Sequence, residues 1–237
     1  MKLAAIDIGS NAIRFQVTHV MTYEGQHYFK RLEYVRFPLR LGQDVFKLKK
    51  IGEKSEDKFI RLMNAFKLLI DLYEVDQYYA CATSAMREAA NGREITKKVK
   101  ELLGLKINII SGEREAELIN RVVMEKLGKG TFLHVDVGGG STELNLIKDG
   151  IKIESESFKI GSVRTIENDS PKGVLKRMSQ WIEAQVKGAK TAITAIGTGG
   201  NINKIYELSG AKTKTRLMRI ESILEVQEHL ASHTLDE

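Results

Sequence analysis

The chain has 237 residues, of which 42% are hydrophobic and 29% are charged, proportions typical of a globular protein with its own core. Its 37 basic and 31 acidic side chains leave a net charge of +6, which suits a polyanionic partner without specifying one. No apolar run reaches membrane-spanning length, and no zinc-finger or RNA-recognition pattern occurs, so we expect neither membrane insertion nor sequence-specific binding of nucleic acid.

The only cysteine, Cys81, lies within the apolar run 78–82, which is typical of a buried structural thiol in a reducing compartment. A strand pattern begins directly after Met1, where a secretory signal would carry a basic region and an apolar stretch. We therefore expect a soluble, cytoplasmic protein.

The first half of the chain predicts alternating strands and helices. Apolar runs and alternation predict strands near 3–6, 13–17, 26–37, 78–83 and 106–110. Apolar residues at helical spacing predict helices over 59–73, 86–103 and 112–127. In the last of these helices, the side chains expected to face inward are Ala116, Ile119, Val122 and Val123.

The second half repeats this order. It predicts strands over 131–137, 142–147, 152–158 and 192–196, and helices over 174–187, 200–208 and 220–230. Nothing in it matches the strand and helix predicted over 106–127. We therefore predict an α/β protein of two related, close-coupled lobes, 1–127 and 128–237, with the second lobe shortened at its C-terminal end.

Each half contains one glycine loop between two predicted strands, a pattern that predicts a hairpin. The loops run over Asp7–Asn11 and Asp136–Glu143. Glycine lets backbone N–H groups approach a phosphate closely, and hydroxyl or amide side chains add hydrogen bonds. The candidate phosphate-binding residues are Gly9, Ser10, Asn11, Gly138, Gly139, Gly140, Ser141 and Thr142. The alternative is a pair of ordinary hairpin turns.

Both loops begin with an aspartate, Asp7 in the first and Asp136 in the second. Two bare carboxylates would repel a phosphate, but a Mg²⁺ ion bridging carboxylate and phosphate oxygens removes that conflict. We therefore expect Asp7 and Asp136 to hold Mg²⁺ in a cleft between the lobes.

Two further junctions between a strand and a helix are candidate anion sites. Ser84 is a predicted N-cap, and Arg87 lies in the first helical turn, where it can grip phosphate. The alternative is simple capping, with Arg87 in a surface salt bridge. The glycines Gly197, Gly199 and Gly200 join another strand to a helix, and they form either a backbone wall of the cleft or an ordinary turn.

Glu115 and Glu143 are the candidate catalytic carboxylates. Glu115 is rotated roughly 200° around its helix from Glu113 and Glu117, which places it on the apolar side. Burial there raises a carboxyl pKa toward the range useful for a general base. The alternative is a capping acid in the first turn. Glu143 follows the second loop and can position water, bind metal or act as base, whereas the five histidines suggest no site.

Together these segments resemble the Ppx/GppA phosphatase family of exopolyphosphatases and guanosine pentaphosphate phosphohydrolases. The matching blocks are 7–14, 82–91, 111–116, 136–143, 159–164 and 197–200. The resemblance implies an actin-like, ribonuclease-H-like fold and Mg²⁺-assisted hydrolysis of a phosphoanhydride. It places the catalytic glutamate on Glu115 and makes Arg14 a substrate-binding residue. Ala12 stands where the family often has a hydroxyl residue.

The resemblance implies a hydrolase that releases the terminal phosphate of polyphosphate or guanosine pentaphosphate (pppGpp). The oligomeric state stays open, with a homodimer as one candidate. Two alternatives remain open. Other actin-like proteins with two such loops are ATPases or phosphotransferases, and a chain of this kind can also serve as a non-catalytic sensor of polyphosphate or an alarmone.

Overall fold

The computed structural model describes residues 1–125, 127–167, 172–187, 192–211 and 217–233. Its first sheet contains β1 (Lys2–Ile8), β2 (Ile13–Tyr23), β3 (Gln26–Phe37), β4 (Gln77–Ala82) and β5 (Ile107–Ile109). The strand order is β3-β2-β1-β4-β5. The first three strands are antiparallel neighbours, and β4 and β5 extend the sheet in parallel with β1.

The helices of the first half are α1 (Leu41–Leu48), α2 (Glu53–Leu72), α3 (Ser84–Glu88), α4 (Gly92–Leu103) and α5 (Gly112–Met124). They cover an apolar core whose centre is Phe15 on β2, stacked on Phe66 of α2 with ring centroids 4.8 Å apart. Complete burial of one such ring stabilises the fold by about 1.5–3 kcal/mol.

The second half contains β6 (Thr131–Val137), β7 (Thr142–Lys148), β8 (Ile151–Phe158), α6 (Ser162–Glu167), α7 (Lys172–Val186), β9 (Ile193–Thr198), α8 (Gly200–Leu208) and α9 (Ile220–Ala231). Its sheet has the order β8-β7-β6-β9, with β6 and β7 antiparallel and β6 and β9 parallel. This order reproduces β3-β2-β1-β4, so the predicted repeat of strand order is present in the fold.

The single helix predicted over 86–103 is wrong, because the chain forms α3 and α4 with a break between them. The side chain of Asn91 sits at the break and exchanges two 2.9 Å hydrogen bonds with the backbone of Ile51. Gly92 then passes so near the carbonyl of Met86 that a Cβ would lie 2.1 Å from its oxygen. These long-range contacts override the helical periodicity of the segment.

Two short helices, α1 and α6, were not predicted from the sequence. Helix α1 has eight residues, too few for periodicity to be decisive, and it begins after Arg40, whose backbone is left-handed at φ 57°. Helix α6 is shorter still, and its Val163 packs into the core of the first half. Where one lobe ends and the other begins therefore stays a prediction.

Helix α5 also departs from its predicted inward face. Ala116 is buried as expected, but Val122 is 58% exposed, and the buried polar residue on this helix is Asn120. Lys126, near the end of the predicted helix, lies outside the described residues. Within the described ranges, no helix combines the length and the apolar character needed to cross a membrane.

Candidate active site

The two glycine loops face one another across a cavity of about 340 Å³. Among the predicted site residues, those on its wall are Asp7, Gly9, Ser10, Asn11, Arg14, Ser84, Glu115, Asp136, Gly138, Gly139, Gly140, Ser141, Gly199 and Gly200. Residues predicted from five segments of the chain thus share one crevice. Asp7 and Asp136 both border it, which is the arrangement a shared ligand requires.

The duplicated hairpins place different chemistry at equivalent positions. In the first hairpin Asp7 lies opposite Arg14 across the strand pair, and in the second Asp136 lies opposite Glu143. The first aspartate therefore has a cation beside it, and the second has another carboxylate beside it.

Asp7 and Arg14 form an ion pair, with Nη1 of the arginine 2.7 Å from Oδ2 of the aspartate. Both side chains are about two-fifths exposed, at 44% and 40%. Exposed pairs of this kind are worth about 0–1 kcal/mol, so a bound ligand can replace the contact at low cost. The pair leaves each group able to turn toward an opposite charge in the cleft.

Glu115 projects from the first turn of α5, which is capped by Ser111, whose Oγ accepts a 3.2 Å hydrogen bond from the backbone N–H of Arg114. Burial raises the pKa of the Glu115 carboxyl to about 7, and repulsion from Glu143 contributes to the rise. Arg87 opposes it from 3.5 Å away, while donating its own hydrogen bond to the carbonyl of Ile110 at 2.7 Å. Glu115 is therefore a carboxylate that accepts and releases a proton near neutral pH.

Glu143 lies behind the cavity wall, where its side chain is nearly inaccessible. Burial raises the pKa of this carboxyl too, while the hydroxyls of Ser141 and Ser157 favour its ionised form. Ser157 donates a 3.1 Å hydrogen bond to Oε1 of Glu143. Glu143 thus acts on the Glu115 carboxyl by charge, and its predicted catalytic role stays a prediction.

Three more predicted residues lie off the cavity wall. Thr142 is buried and donates its hydroxyl to the carbonyl of Ile160 at 2.8 Å. Gly197 packs against α8, where a Cβ would lie 2.7 Å from a carbon of Ile202. Arg87 lines a neighbouring surface pocket instead.

The N-cap prediction for Ser84 is wrong, because the capping position is Thr83 and Ser84 is the first helical residue. Its hydroxyl shares a 2.6 Å hydrogen bond with the hydroxyl of Ser10. This bond ties the first glycine loop to the start of α3, so both hydroxyls lie at the floor of the cleft.

Glycine in the second loop is required for a reason that sequence reasoning missed. A Cβ on Gly139 would lie 3.1 Å from the Cβ of Ser10, and one on Gly140 would lie 2.4 Å from Oγ of Ser84. The loop therefore packs directly on the first half of the molecule.

Several residues that line the cavity were not identified as site residues from the sequence. Arg36 lies opposite Arg14 in the pairing of β2 with β3, so the two guanidinium groups extend from adjacent strands toward the cavity. Cys81, expected to be a buried structural thiol, is only half-buried and borders the cleft. Burial and the nearby Asp7 raise the pKa of that thiol to about 11, which keeps it protonated and unreactive. Strand register, once known, would have identified Arg36.

A magnesium ion fits the charge of this cavity, although the protein supplies few of its ligands. In the described part of the chain, no three His, Cys, Asp or Glu side chains converge to hold a metal by themselves. Asp7 and Glu143 both raise the pKa of Glu115 through repulsion, so a cation would relieve a surplus of negative charge. Mg²⁺ is commonly held by one or two carboxylates, with phosphate oxygens and water completing its shell.

The chain resembles known proteins in sequence and in structure. A family model described as the Ppx/GppA phosphatase family matches residues 20–234. A bifunctional 3-dehydroquinate synthase/phosphatase of Fusobacterium nucleatum is 34% identical over 171 residues, covering 69% of this chain and 26% of that protein. Exopolyphosphatase 1 of Mycobacterium leprae is 25% identical over 89% of this chain and 66% of its own length.

A guanosine-5'-triphosphate,3'-diphosphate pyrophosphatase of Aliivibrio fischeri is 26% identical, over 98% of this chain and 50% of that protein. The chain thus spans between about a quarter and two-thirds of these relatives' lengths. Among solved structures, a Ppx/GppA family member from Aquifex aeolicus superposes with a TM-score of 0.74 at 26% identity, covering 100% of this chain and 81% of that one.

The actin-like fold is supported by a more distant structure. A Bacteroides thetaiotaomicron protein with an actin-like ATPase fold aligns with a TM-score of 0.50 at 8% identity, over 88% of this chain and 87% of that one. At that identity the likeness concerns the fold alone. Together with the duplicated sheets, it confirms the predicted two-lobed α/β architecture.

Proposed function

Because this chain belongs to the Ppx/GppA phosphatase family, as the sequence resemblance predicted, we propose that it hydrolyses a terminal phosphoanhydride bond. The substrate class is a linear phosphate chain, either inorganic polyphosphate or the triphosphate end of guanosine pentaphosphate. Relatives whose names state each of these activities match most of the chain, which supports both as candidates.

One observation carries the proposal: Glu115, a carboxylate with a pKa of about 7, lies on the wall of the cavity between two glycine loops. A general base is most effective when its pKa is near the working pH. The loops supply the phosphate site, and Glu115 is placed to take a proton from a water molecule inside it.

In the proposed reaction, Glu115 accepts a proton from water as the water oxygen attacks the terminal phosphorus. The bond from that phosphorus to the bridging oxygen breaks, and the shortened chain leaves with the bridging oxygen. The backbone N–H group of Gly139 is near enough to the cavity to stabilise the charge on the phosphoryl oxygens, whereas that of Gly9 donates to the carbonyl of Ala12. Arg14 and Arg36 line the first half of the cleft and suit the anionic chain beyond the reacting phosphate.

Asp7 and Asp136 are the residues that would hold a magnesium ion. When bound, the ion supplies charge neutralisation to the phosphate oxygens and polarises the reacting phosphorus. Arg14 releases Asp7 for this role when it turns to the substrate, since their ion pair is exposed.

The test is phosphate release from polyphosphate and from guanosine pentaphosphate, with and without Mg²⁺, for the wild type and Glu115→Gln. We expect the substitution to lower kcat by about 10²–10⁴-fold with little change in substrate affinity, because only proton transfer is removed. The matched control is Glu117→Gln on the same helix, whose carboxylate is held at the surface by Arg114 and Arg121.

The control variant should keep wild-type turnover, and turnover in the wild type should rise with pH through about 7 as Glu115 loses its proton. Undiminished turnover in Glu115→Gln would reject the assignment of this residue. Substrate binding without phosphate release by the wild type would instead identify a sensor, and phosphate transfer to a sugar would identify a phosphotransferase.

A further inference from the structure

A continuous chain of hydrogen bonds runs from helix α5 through the second sheet to Asp136. Nδ2 of Asn120 donates to Oδ1 of Asn145 at 3.0 Å, and Nδ2 of Asn145 lies 3.3 Å from Nδ1 of His134. Nε2 of His134 lies 2.9 Å from Oγ1 of Thr198, which donates to Oδ1 of Asp136 at 2.6 Å. Asn120, Asn145 and His134 are at most 2% exposed, so water does not compete for these bonds.

The order of donors and acceptors in this chain is fixed from its Asp136 end. An ionised carboxylate only accepts hydrogen bonds, so the single hydroxyl proton of Thr198 points to Asp136. Oγ1 of Thr198 must then accept from His134, which places a proton on Nε2. Oδ1 of Asn145 accepts from Asn120, so the group of Asn145 that faces His134 is its amide nitrogen, which only donates; Nδ1 of His134 therefore accepts and carries no proton.

The chain of hydrogen bonds holds one carboxylate oxygen of Asp136 and leaves the other free to bind a ligand. Oδ1 is held by Thr198, and no described residue donates to Oδ2. Asp136 borders the cavity, so its uncommitted oxygen is the one that a ligand in the cleft can use. A carboxylate without this support would sample several rotamers and bind a cation less well.

We propose that Thr198, itself held by His134 and the two asparagines, is a positioning residue that orients Asp136 toward a divalent cation in the cleft. The proposal rests on the proposed function, in which Asp136 holds that cation. It also assigns a role to His134, which is buried on β6 opposite Asn145 and has no access to the cavity. Asn120 lies on α5, the helix that also carries Glu115. The chain of hydrogen bonds therefore connects Asp136 to the helix of the proposed general base.

The first test compares Thr198→Val with Thr198→Ser. Valine keeps the shape of threonine and loses the hydroxyl, whereas serine keeps the hydroxyl and loses the methyl group. Binding of Mn²⁺, followed by loss of its free-ion electron paramagnetic resonance signal, should weaken about 10–100-fold in Thr198→Val. Thr198→Ser should stay within about twofold of the wild type if the hydrogen bond, and not packing, is what matters.

Measurements of phosphate release show whether a failure belongs to the positioning role of Thr198 or to the proposed function. In the wild type and Thr198→Ser, phosphate release should saturate at similar Mg²⁺ concentrations, and Thr198→Val should require about tenfold more Mg²⁺ or greater. If the wild type binds Mn²⁺ as expected but releases no phosphate, the proposed function fails and the positioning role stands. The positioning role would be overturned if Thr198→Val bound Mn²⁺ as tightly as the wild type. It would also be overturned if Thr198→Val and Thr198→Ser lost the same amount of Mn²⁺ affinity.

A second test needs no variant. Nitrogen-15 chemical shifts of the His134 ring in the wild-type protein report which nitrogen carries the proton. From the hydrogen-bond partners of the ring, we expect a proton on Nε2 and none on Nδ1. A proton on Nδ1 alone would mean that His134 donates to Asn145 and no longer to Thr198. That result would overturn the proposal.

Discussion

Glu115 shows how the surroundings of one side chain set its chemistry. Burial is the largest contribution to its raised pKa, repulsion from Glu143 adds to it, and Arg87 subtracts from it. Glu117, two residues further along the same helix, has the opposite environment, because hydrogen bonds from Arg114 and Arg121 lower its pKa. The same residue type on one helix is therefore suited to proton transfer at one position and to a permanent charge at the other.

This contrast predicts a pH-dependent effect of Glu115→Gln on stability. The pKa of Glu115 is raised from 4.5 to about 7 by folding, so the folded state binds its proton more tightly and loses stability as pH rises between those values. Glutamine removes this loss. The variant should be more stable than the wild type at pH 8 by about 1–3 kcal/mol, and the gain should shrink toward pH 5.

Urea unfolding of both proteins at the two pH values measures the effect. Glu117→Gln is the control with the opposite sign, since a lowered carboxyl pKa stabilises the fold above its unfolded value and the substitution removes that contribution at pH 8. A Glu115→Gln variant less stable than the wild type at pH 8 would show that this carboxyl is not destabilised by its burial.

At the scale of elements, the short helix α6 joins the two halves of the molecule. Val163 enters the core of the first half, and Arg164 lies over the ring of Phe46 in α1 with its guanidinium carbon 4.0 Å from the ring centroid. The same guanidinium donates to the carbonyl of Gly140 and to Glu88 of α3, each at 2.5 Å. One side chain thus links a glycine loop of the cleft to two helices across it.

Arg164→Ala should therefore cost more stability than the loss of an ordinary surface ion pair. Its side chain is only 13% exposed, and truncation leaves the carboxylate of Glu88 without this partner. We expect a loss of about 1–3 kcal/mol in the free energy of unfolding. The control is Arg61→Ala, which breaks an exposed pair with Asp57 on α2 and should cost about 0.3–0.5 kcal/mol. Equal losses in urea unfolding would show that α6 does not secure the halves.

At the scale of the whole molecule, the cleft is formed by direct contact between the two glycine loops rather than by a wide gap between lobes. Gly139 lies against Ser10, and Gly140 lies against Ser84 and Phe46. A cavity of about 340 Å³ lies beside this contact, and both glycines line it. The glycines thus serve packing and binding together.

Gly140→Ala tests this close contact. Its added methyl group would lie 2.4 Å from Oγ of Ser84 and 2.6 Å from a ring carbon of Phe46, so these neighbours or the loop must shift. We expect a loss of about 1–3 kcal/mol in unfolding free energy, together with weaker substrate binding. The matched control is Gly173→Ala in α7, where the methyl group meets nothing within 4 Å and alanine should stabilise the helix by up to about 1 kcal/mol. Similar effects of both substitutions would contradict the packing role of Gly140.

The sequence by itself determined the duplicated order of strands, the two hairpin loops and Glu115 as the candidate base. Local patterns encode these features, because the alternation of apolar and polar residues, the glycine turns and the angular step of a helix each extend over only a few residues. Local patterns also predicted that the loops would share a cleft, since equivalent loops of related lobes occupy equivalent positions.

Only the tertiary structure decided which side chains complete the site. The hydroxyl pair of Ser10 and Ser84 joins residues 74 positions apart, the ion pair of Arg164 and Glu88 spans 76, and the contact of His134 with Thr198 spans 64. Such contacts depend on how distant segments fold against one another, and no short pattern encodes them. For the same reason the break before α4, the docking of α6 and the orientation of Asp136 emerge only when the chain is folded.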